Sequence, residues 1–380
     1  MTAKHGFKNF HVCLICASFP PVRCGVGDYT ARLAQALADA GARVSVVTSD
    51  PKEAPRVFSG VAVYPVVRSW AGRKTPALGR ILQSLKPDCA AVMYPSLGYG
   101  RGLAPNFILG WLGKKFPACG RLLILHEYAM FSWLGRARLR PALAAAQAVV
   151  CTNHRDRRAL RRHRLPKGRV RVIPLGSAVA PAADPSAPAT FTSRSRCVHF
   201  GAVMPNKGWE TLLAAWQQLQ GTGSKLQLEA IGALEPVRYA YHARVARDIA
   251  RRCLFPGIRF TGYLPEEEVR KKFKNSSGVA VMPFRRGAQL NRSSLVAVLS
   301  AGLAVVTTRP PQALEGLRHG EHYWLVAPDD PQGLAEGIRQ VSAEPKLRSR
   351  LQAGARQAAK RFAWARIARQ MLSLARAVAP

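Results

Sequence analysis

The residues best suited to chemistry in this 380-residue chain lie where apolar runs give way to glycine-containing turns. The first such stretch is Phe19-Pro20-Pro21-Val22-Arg23-Cys24-Gly25-Val26-Gly27-Asp28-Tyr29. Gly25 and Gly27 let the backbone approach a ligand closely, and the helix opening there offers unpaired N–H groups to an anion. It lacks the third glycine of a dinucleotide fingerprint, and taken alone a plain strand-to-helix turn accounts for it. In Leu122-Leu123-Ile124-Leu125-His126-Glu127-Tyr128 an imidazole ends a buried strand. His126 there could hydrogen-bond a sugar hydroxyl or a leaving-group oxygen, or stand as a structural histidine with Glu127 as its partner. In His199-Phe200-Gly201-Ala202-Val203-Met204-Pro205-Asn206-Lys207-Gly208-Trp209 the turn brings Lys207 to a helix N-terminus. That position favours phosphate oxygens, the alternative being a solvated loop lysine. The last stretch, Gly287-Ala288-Gln289-Leu290-Asn291-Arg292-Ser293-Ser294, precedes an apolar helix that Ser293 and Ser294 can cap. Arg292 opposes the helix dipole unless an anion occupies the same place, which makes this stretch the strongest pointer to a phosphate site. Gly262 and Tyr263, at the end of another strand, are expected to border a nucleotide base.

The elements that must hold these residues alternate short apolar strands with amphipathic helices, the pattern of parallel α/β layers. Strands are expected at 11–17, 44–48, 61–67, 90–94, 122–126, 148–151 and 170–174, with a helix over 28–40 closed by Gly41. An Ala-, Pro- and Ser-rich stretch over 178–195 suits an interdomain linker. The alternation restarts at Cys197 and continues to the end of the chain. The fold class is therefore α/β, with two Rossmann-like parallel-sheet domains facing a central cleft. Ligands of such sheets bind beyond the carboxyl ends of the strands. The expected boundaries are 1–178 for the first domain, 179–195 for the linker and 196–360 for the second domain, followed by a C-terminal helix over 361–380.

The length exceeds what one core usually supports, and 48% apolar with 21% charged residues fits a folded chain rather than a disordered one. No apolar run is long enough for a bilayer span or a signal h-region, so a cytoplasmic protein is expected. The cysteines, Cys13 and Cys16 among them, sit mostly in strand-like runs without a second ligand pair at zinc spacing, and read as core thiols. No Asp-x-Asp pair or His/carboxylate cluster appears, so no catalytic metal is expected. The charge is unusual, with 57 basic against 21 acidic residues giving +36. Basic residues thicken over Arg155–Arg171, where Arg155, Arg157, Arg158, Arg161, Arg162, Arg164, Lys167, Arg169 and Arg171 meet only Asp156. Such a field attracts nucleotides, anionic lipid headgroups or nucleic acid, while a chain-wide arginine bias explains it as well. No nucleic-acid module or aromatic–basic interleaving is present, so nucleic acid is not an expected partner.

Taken in order, these stretches resemble the retaining nucleotide-sugar transferases of the two-Rossmann (GT-B) architecture, glycosyltransferase family 4. The glycine loop, the strand-ending histidine, "VRVIPLG", "FGAVMPNKGWETLLAAW", "IRFTGYLPEEEV", "VAVMPF" and "AGLAVVTT" followed by "HYWLVAPDD" carry the resemblance over nearly the whole chain. It implies transfer of a hexose-like sugar from a nucleoside diphosphate to an acceptor hydroxyl of a glycan or lipid-linked precursor. Retention at the anomeric carbon and a C-terminal helix returning to the first domain belong to the same expectation. Lys207, Arg292, Ser293 and Ser294 would hold the diphosphate and His126 would orient donor or acceptor, with Gly25 and Gly27 allowing close approach. No cofactor beyond the donor is implied. A peripheral position on the inner face of the cytoplasmic membrane, through Arg155–Arg171, would suit a lipid-linked acceptor. The chain departs from the family at Ala202, where an arginine is usual, and at Gln289 and Ala297, where two glutamates are usual. Some members carry an arginine–serine turn resembling Arg292-Ser293-Ser294 in place of that pair. An inactive homologue that binds anionic polymer or membrane, and an epimerase of the same architecture, are the competing expectations.

Overall fold

A computed structural model describes residues 7–22, 24–50, 56–72, 75–161, 169–179, 193 and 195–379. Most of the expected linker, and residues 162–168 of the basic segment with Arg162, Arg164 and Lys167, lie outside the described residues. The chain divides into two compact units, Met1–Gly176 with Trp364–Pro380, and Ser177–Ala363.

The first unit is built on β1 (His11–Ile15), β2 (Arg43–Ser49), β3 (Val57–Phe58), β4 (Val61–Val67), β5 (Cys89–Tyr94), β6 (Gly120–Leu125), β7 (Ala148–Cys151) and β8 (Val170–Val172). Their order is β3-β4-β2-β1-β5-β6-β7-β8, parallel except for the short β3–β4 hairpin. Its helices are α1 (Gly25–Asp39), α2 (Pro76–Leu85), α3 (Ala104–Lys115), α4 (Trp133–Arg138), α5 (Arg140–Ala145) and α6 (His154–Leu160). A parallel sheet covered on both faces needs continuously apolar strands, and every residue of β1 and β7 is buried. The chain order reverses between β1 and β5, so the loop after β1 opens at the sheet's switch point. Ser18 and Ser96 lace that place together: Ser18 N–H donates to Ser96 Oγ at 3.0 Å, and Gly98 N–H to Ser18 Oγ at 2.9 Å.

The second unit carries β9 (Arg196–Phe200), β10 (Gln227–Ile231), β11 (Ile258–Phe260), β12 (Val279–Met282), β13 (Ala304–Thr308) and β14 (Trp324–Val326). All are parallel, in the order β11-β10-β9-β12-β13-β14. The helices are α7 (Trp209–Gly221), α8 (Ala240–Arg251), α9 (Glu266–Lys274), α10 (Ser293–Ser300), α11 (Pro331–Ala343) and α12 (Pro345–Ala359). Here the switch point falls between β9 and β12, so the loop after β9 and the start of α10 meet at the ligand edge of the sheet. Local signals explain the helix ends. Glu266, Glu267 and Glu268 open α9 and Lys271, Lys272 and Lys274 close it, matching the dipole, and Asp330 caps α11 by accepting the Gly333 N–H at 2.9 Å.

The last helix, α13 (Trp364–Val378), belongs to the first unit. Ile367, Ala368, Met371, Leu372 and Ala375 bury one stripe of it in the same core as Leu33, Ala34 and Leu37 of α1. Each fully buried Ile, Met or Leu there contributes about 1.5–3 kcal/mol. Trp364 lies directly over Gly176, in space that a side chain at 176 would fill.

Candidate active site

Lys207 reaches the switch point of the second unit from the turn before α7. The turn closes on Gly208, whose left-handed φ of 71° is natural only to glycine and whose missing side chain admits the Pro283 carbonyl. The Lys207 ammonium donates to Ser294 Oγ at 2.6 Å and stands 5.0 Å over the Phe284 ring. The Arg292 guanidinium lies 6.0 Å over the same ring. Gly201, at the end of β9, makes the space: a Cβ there would stand 3.2 Å from Lys207 Nζ and 3.3 Å from Ser294 Cβ. The residue keeps partial exposure, but its ammonium is enclosed, and burial, with Arg292 second, pulls it from the ordinary 10.5 down to about 7. Two cations thus stand within 6.0 Å of one aromatic ring, and Lys207 donates to a hydroxyl at a helix N-terminus. An anion bound there would relieve their repulsion and receive the unpaired N–H groups of α10.

Arg292 holds the N-cap position of α10, with extended backbone and no side-chain cap. The expectation that Ser293 and Ser294 cap this helix is therefore corrected. They are its first two residues, Ser293 exposed and Ser294 buried as the acceptor for Lys207. Gly262 and Tyr263 follow β11, two strands from β9, or roughly 10 Å at ordinary strand spacing. Gly262 has a φ of 78° with open space around it, and Tyr263 is 72% exposed. The sequence did not single out His199 within β9. Its Nδ1 faces the Val281 carbonyl at 2.9 Å and so carries the proton, while burial, with Lys207 second, lowers its pKa to about 4. A neutral imidazole is therefore fixed within the field of Lys207.

In the first unit His126 directly follows β6, but its ring is sunk against Tyr29 of α1, edge to face with centroids 4.8 Å apart. Burial lowers its pKa to about 4, and its Nε2 and the Tyr29 hydroxyl are both buried without a hydrogen-bond partner among the described residues. Glu127 is exposed with a left-handed φ of 59°, and no His126–Glu127 hydrogen bond is formed among the described contacts. The two loop glycines differ. Gly25 faces open space, whereas a Cβ on Gly27 would stand 2.8 Å from the Ser18 carbonyl oxygen. The missing side chain of Gly27 therefore lets α1 pack against the loop after β1. Seven of the eight cysteines are buried, as core thiols would be, but Cys253 is exposed. Cys24 is also distinctive. Burial would raise its pKa, yet the Leu97, Gly27 and Val26 backbone groups and Ser18 outweigh it and lower the value.

Residues 24–176 match the glycosyl transferase 4-like domain, and residues 194–344 match the glycosyl transferases of group 1. The chain belongs to the group 1, family 4-like glycosyltransferases. Solved structures share the two-domain GT-B fold with this glycosyltransferase. A sucrose-phosphate synthase from Thermosynechococcus elongatus is 22% identical with a TM-score of 0.73, covering 97% of this chain and 98% of that one. A glycosyltransferase from Rickettsia africae is 14% identical with a TM-score of 0.76, covering 98% and 99%. HepE from Anabaena, solved with UDP and glucose, is 16% identical with a TM-score of 0.70, covering 96% and 98%. At these identities the likeness is one of fold. No curated protein sequence matches the chain significantly.

The glycosyltransferase's departures from its family also have places in the structure. Ala202 is exposed beside Gly201, and Gln289 is half-buried, its side chain donating weakly to the Arg286 carbonyl at 3.4 Å. Ala297 is fully buried in the apolar core with Leu295, Val298 and Leu299. The second glutamate position thus serves packing in this chain.

Proposed function

We propose that this glycosyltransferase moves a sugar from a nucleoside-diphosphate sugar to an acceptor hydroxyl, with retention and without a bound metal. The observation that carries the proposal is the pairing of Lys207 and Arg292 over Phe284 at the N-terminus of α10, where β9 and β12 part. The departing diphosphate gains negative charge as its bond to the sugar breaks, and preorganised cations and N–H groups there act most strongly on that charge. Ser294 holds the Lys207 ammonium in place, and Arg292 adds a fixed charge that no pH change near neutrality removes. The HepE structures with UDP and UDP-glucose, and a starch synthase IV catalytic domain with ADP, support a nucleoside-diphosphate donor. His126 would orient the donor sugar or the acceptor once its ring is uncovered. The test is the anomeric configuration of the product by proton NMR. Retention of the donor's configuration is expected, and an inverted product refutes that part of the proposal.

A second reading has one observation in its favour. With Ala297 inside the core, no acid stands at the position where the family usually holds one. A protein that binds nucleoside diphosphates through Lys207 and Arg292 but turns over no donor would meet this reading instead.

A further inference from the structure

Among the described residues of the first unit, three of the six exposed large apolar side chains lie in the stretch that follows His126. Trp133 is 75% exposed, Leu134 56% and Met130 44%, and α4 buries none of its residues. Leu97, 76% exposed, stands after the neighbouring strand β5, and Tyr94 of β5 packs edge to face on Phe131 at 5.7 Å. Of the large apolar side chains exposed in the first unit's described residues, all but Val57 follow the carboxyl ends of the adjacent strands β1, β5 and β6. Leaving a tryptophan and a leucine side by side in water has a free-energy cost that a soluble surface ordinarily avoids, and a cluster of this kind marks an interaction site.

The surroundings of this patch are basic. Glu127 is the one acid between residues 127 and 140, against Arg136, Arg138 and Arg140. Arg136 turns inward, over the Tyr128 ring and onto the Ala129 carbonyl at 2.9 Å, while Arg138 and Arg140 are exposed. The same loop is tied to α6, the start of the basic segment. Asp156 is buried, accepting the Ala129 N–H and the Asn153 side-chain N–H, each at 2.7 Å. The segment's one acid is thereby turned into the protein, and Arg155, Arg157, Arg158 and Arg161 remain at the surface. A tryptophan beside leucine, flanked by arginines, suits the headgroup boundary of a bilayer, where the indole is half solvated and the cations meet lipid phosphates.

We infer that the Met130–Leu134 loop and the arginines of α6 form one docking surface for an anionic lipid bilayer, with Trp133 and Leu134 entering the headgroup layer. The inference deepens the transferase reading, on which it rests only for its meaning, by setting the acceptor at a lipid surface. Adsorption is read without any donor, so its failure and the failure of transfer are separate results.

The experiment uses the full chain and vesicles of phosphatidylcholine with and without phosphatidylglycerol, read by co-sedimentation over a salt series. Quenching of tryptophan fluorescence by lipids brominated near the headgroup reports insertion. Wild type should bind the phosphatidylglycerol vesicles and be quenched, and Trp133→Ser with Leu134→Ser should lower the partition coefficient roughly tenfold or more. Arg157→Gln, Arg158→Gln and Arg161→Gln together should instead flatten the salt dependence, because screened charge is what they remove. Unchanged melting temperature and nucleotide affinity certify both variants as folded. Vesicle binding unaltered by the Trp133/Leu134 change overturns the inference. So does a wild type that ignores both vesicles but sediments as a dimer that the same change disperses, since the patch would then join two copies.

Discussion

Lys207 gives the diphosphate site a proton signature. Its pKa is pulled from 10.5 to about 7 by burial and by Arg292, so near about pH 8 roughly nine-tenths of the protein holds it neutral. Between about pH 7 and 10.5 the unfolded chain keeps a proton here that the folded protein lacks, so this group alone makes the fold more stable as pH rises through that window. A diphosphate within hydrogen-bond reach reverses the balance by favouring the ammonium. Binding near about pH 8 should therefore take up about 0.9 proton, and affinity should fall toward about tenfold per pH unit above about pH 7. Calorimetry of UDP, GDP and ADP in buffers of differing ionisation enthalpy measures the uptake directly. Lys207→Met should bind more weakly and show no uptake. A nucleotide that binds wild type with buffer-independent enthalpy near about pH 8 would refute the reasoning, as would uptake that persists in Lys207→Met.

Arg292→Ala removes the second cation and should weaken nucleoside-diphosphate binding by about 1.5–3 kcal/mol, the range of charge-assisted hydrogen bonds. Unchanged calorimetric affinity in a variant with wild-type melting would take Arg292 out of the site. Transfer should survive exhaustive chelation, measured as nucleoside-diphosphate release with and without EDTA. Loss on chelation with rescue by magnesium or manganese would move the charge stabilisation from the side chains to a metal.

Much of this arrangement was legible before the structure. The alternation of strands and helices fixed the fold class, because parallel strands covered on both faces need unbroken apolar runs. Arg292 stood out because a cation at a helix start conflicts with the dipole, and the structure puts it at the N-cap of α10 beside Lys207. The partners were not legible, because they join elements far apart in the chain. Ser294 reads locally as a cap, and only the fold brings the Lys207 ammonium to it. Phe284 and His199 read as ordinary strand-edge and strand residues, yet the Phe284 ring lies within 6.0 Å of both cations and His199 supplies a neutral imidazole that feels the Lys207 charge. Gly27 and His126 have the type and spacing for a ligand, but their packing was not legible: α1 sets Gly27 against the Ser18 carbonyl and Tyr29 edge to face with His126. Such contacts depend on how a helix meets a sheet, which a local pattern does not encode.

The central claim is that the Lys207–Arg292 site drives departure of a nucleoside diphosphate from a sugar donor. The most direct measurement is nucleoside-diphosphate release from a panel of UDP-, GDP- and ADP-sugars, comparing wild type with Lys207→Met. The account predicts release from at least one donor, lost or strongly reduced in the folded Lys207→Met protein. Release that proceeds equally in both proteins, or a folded wild type that neither binds nor cleaves any donor of the panel, would contradict it.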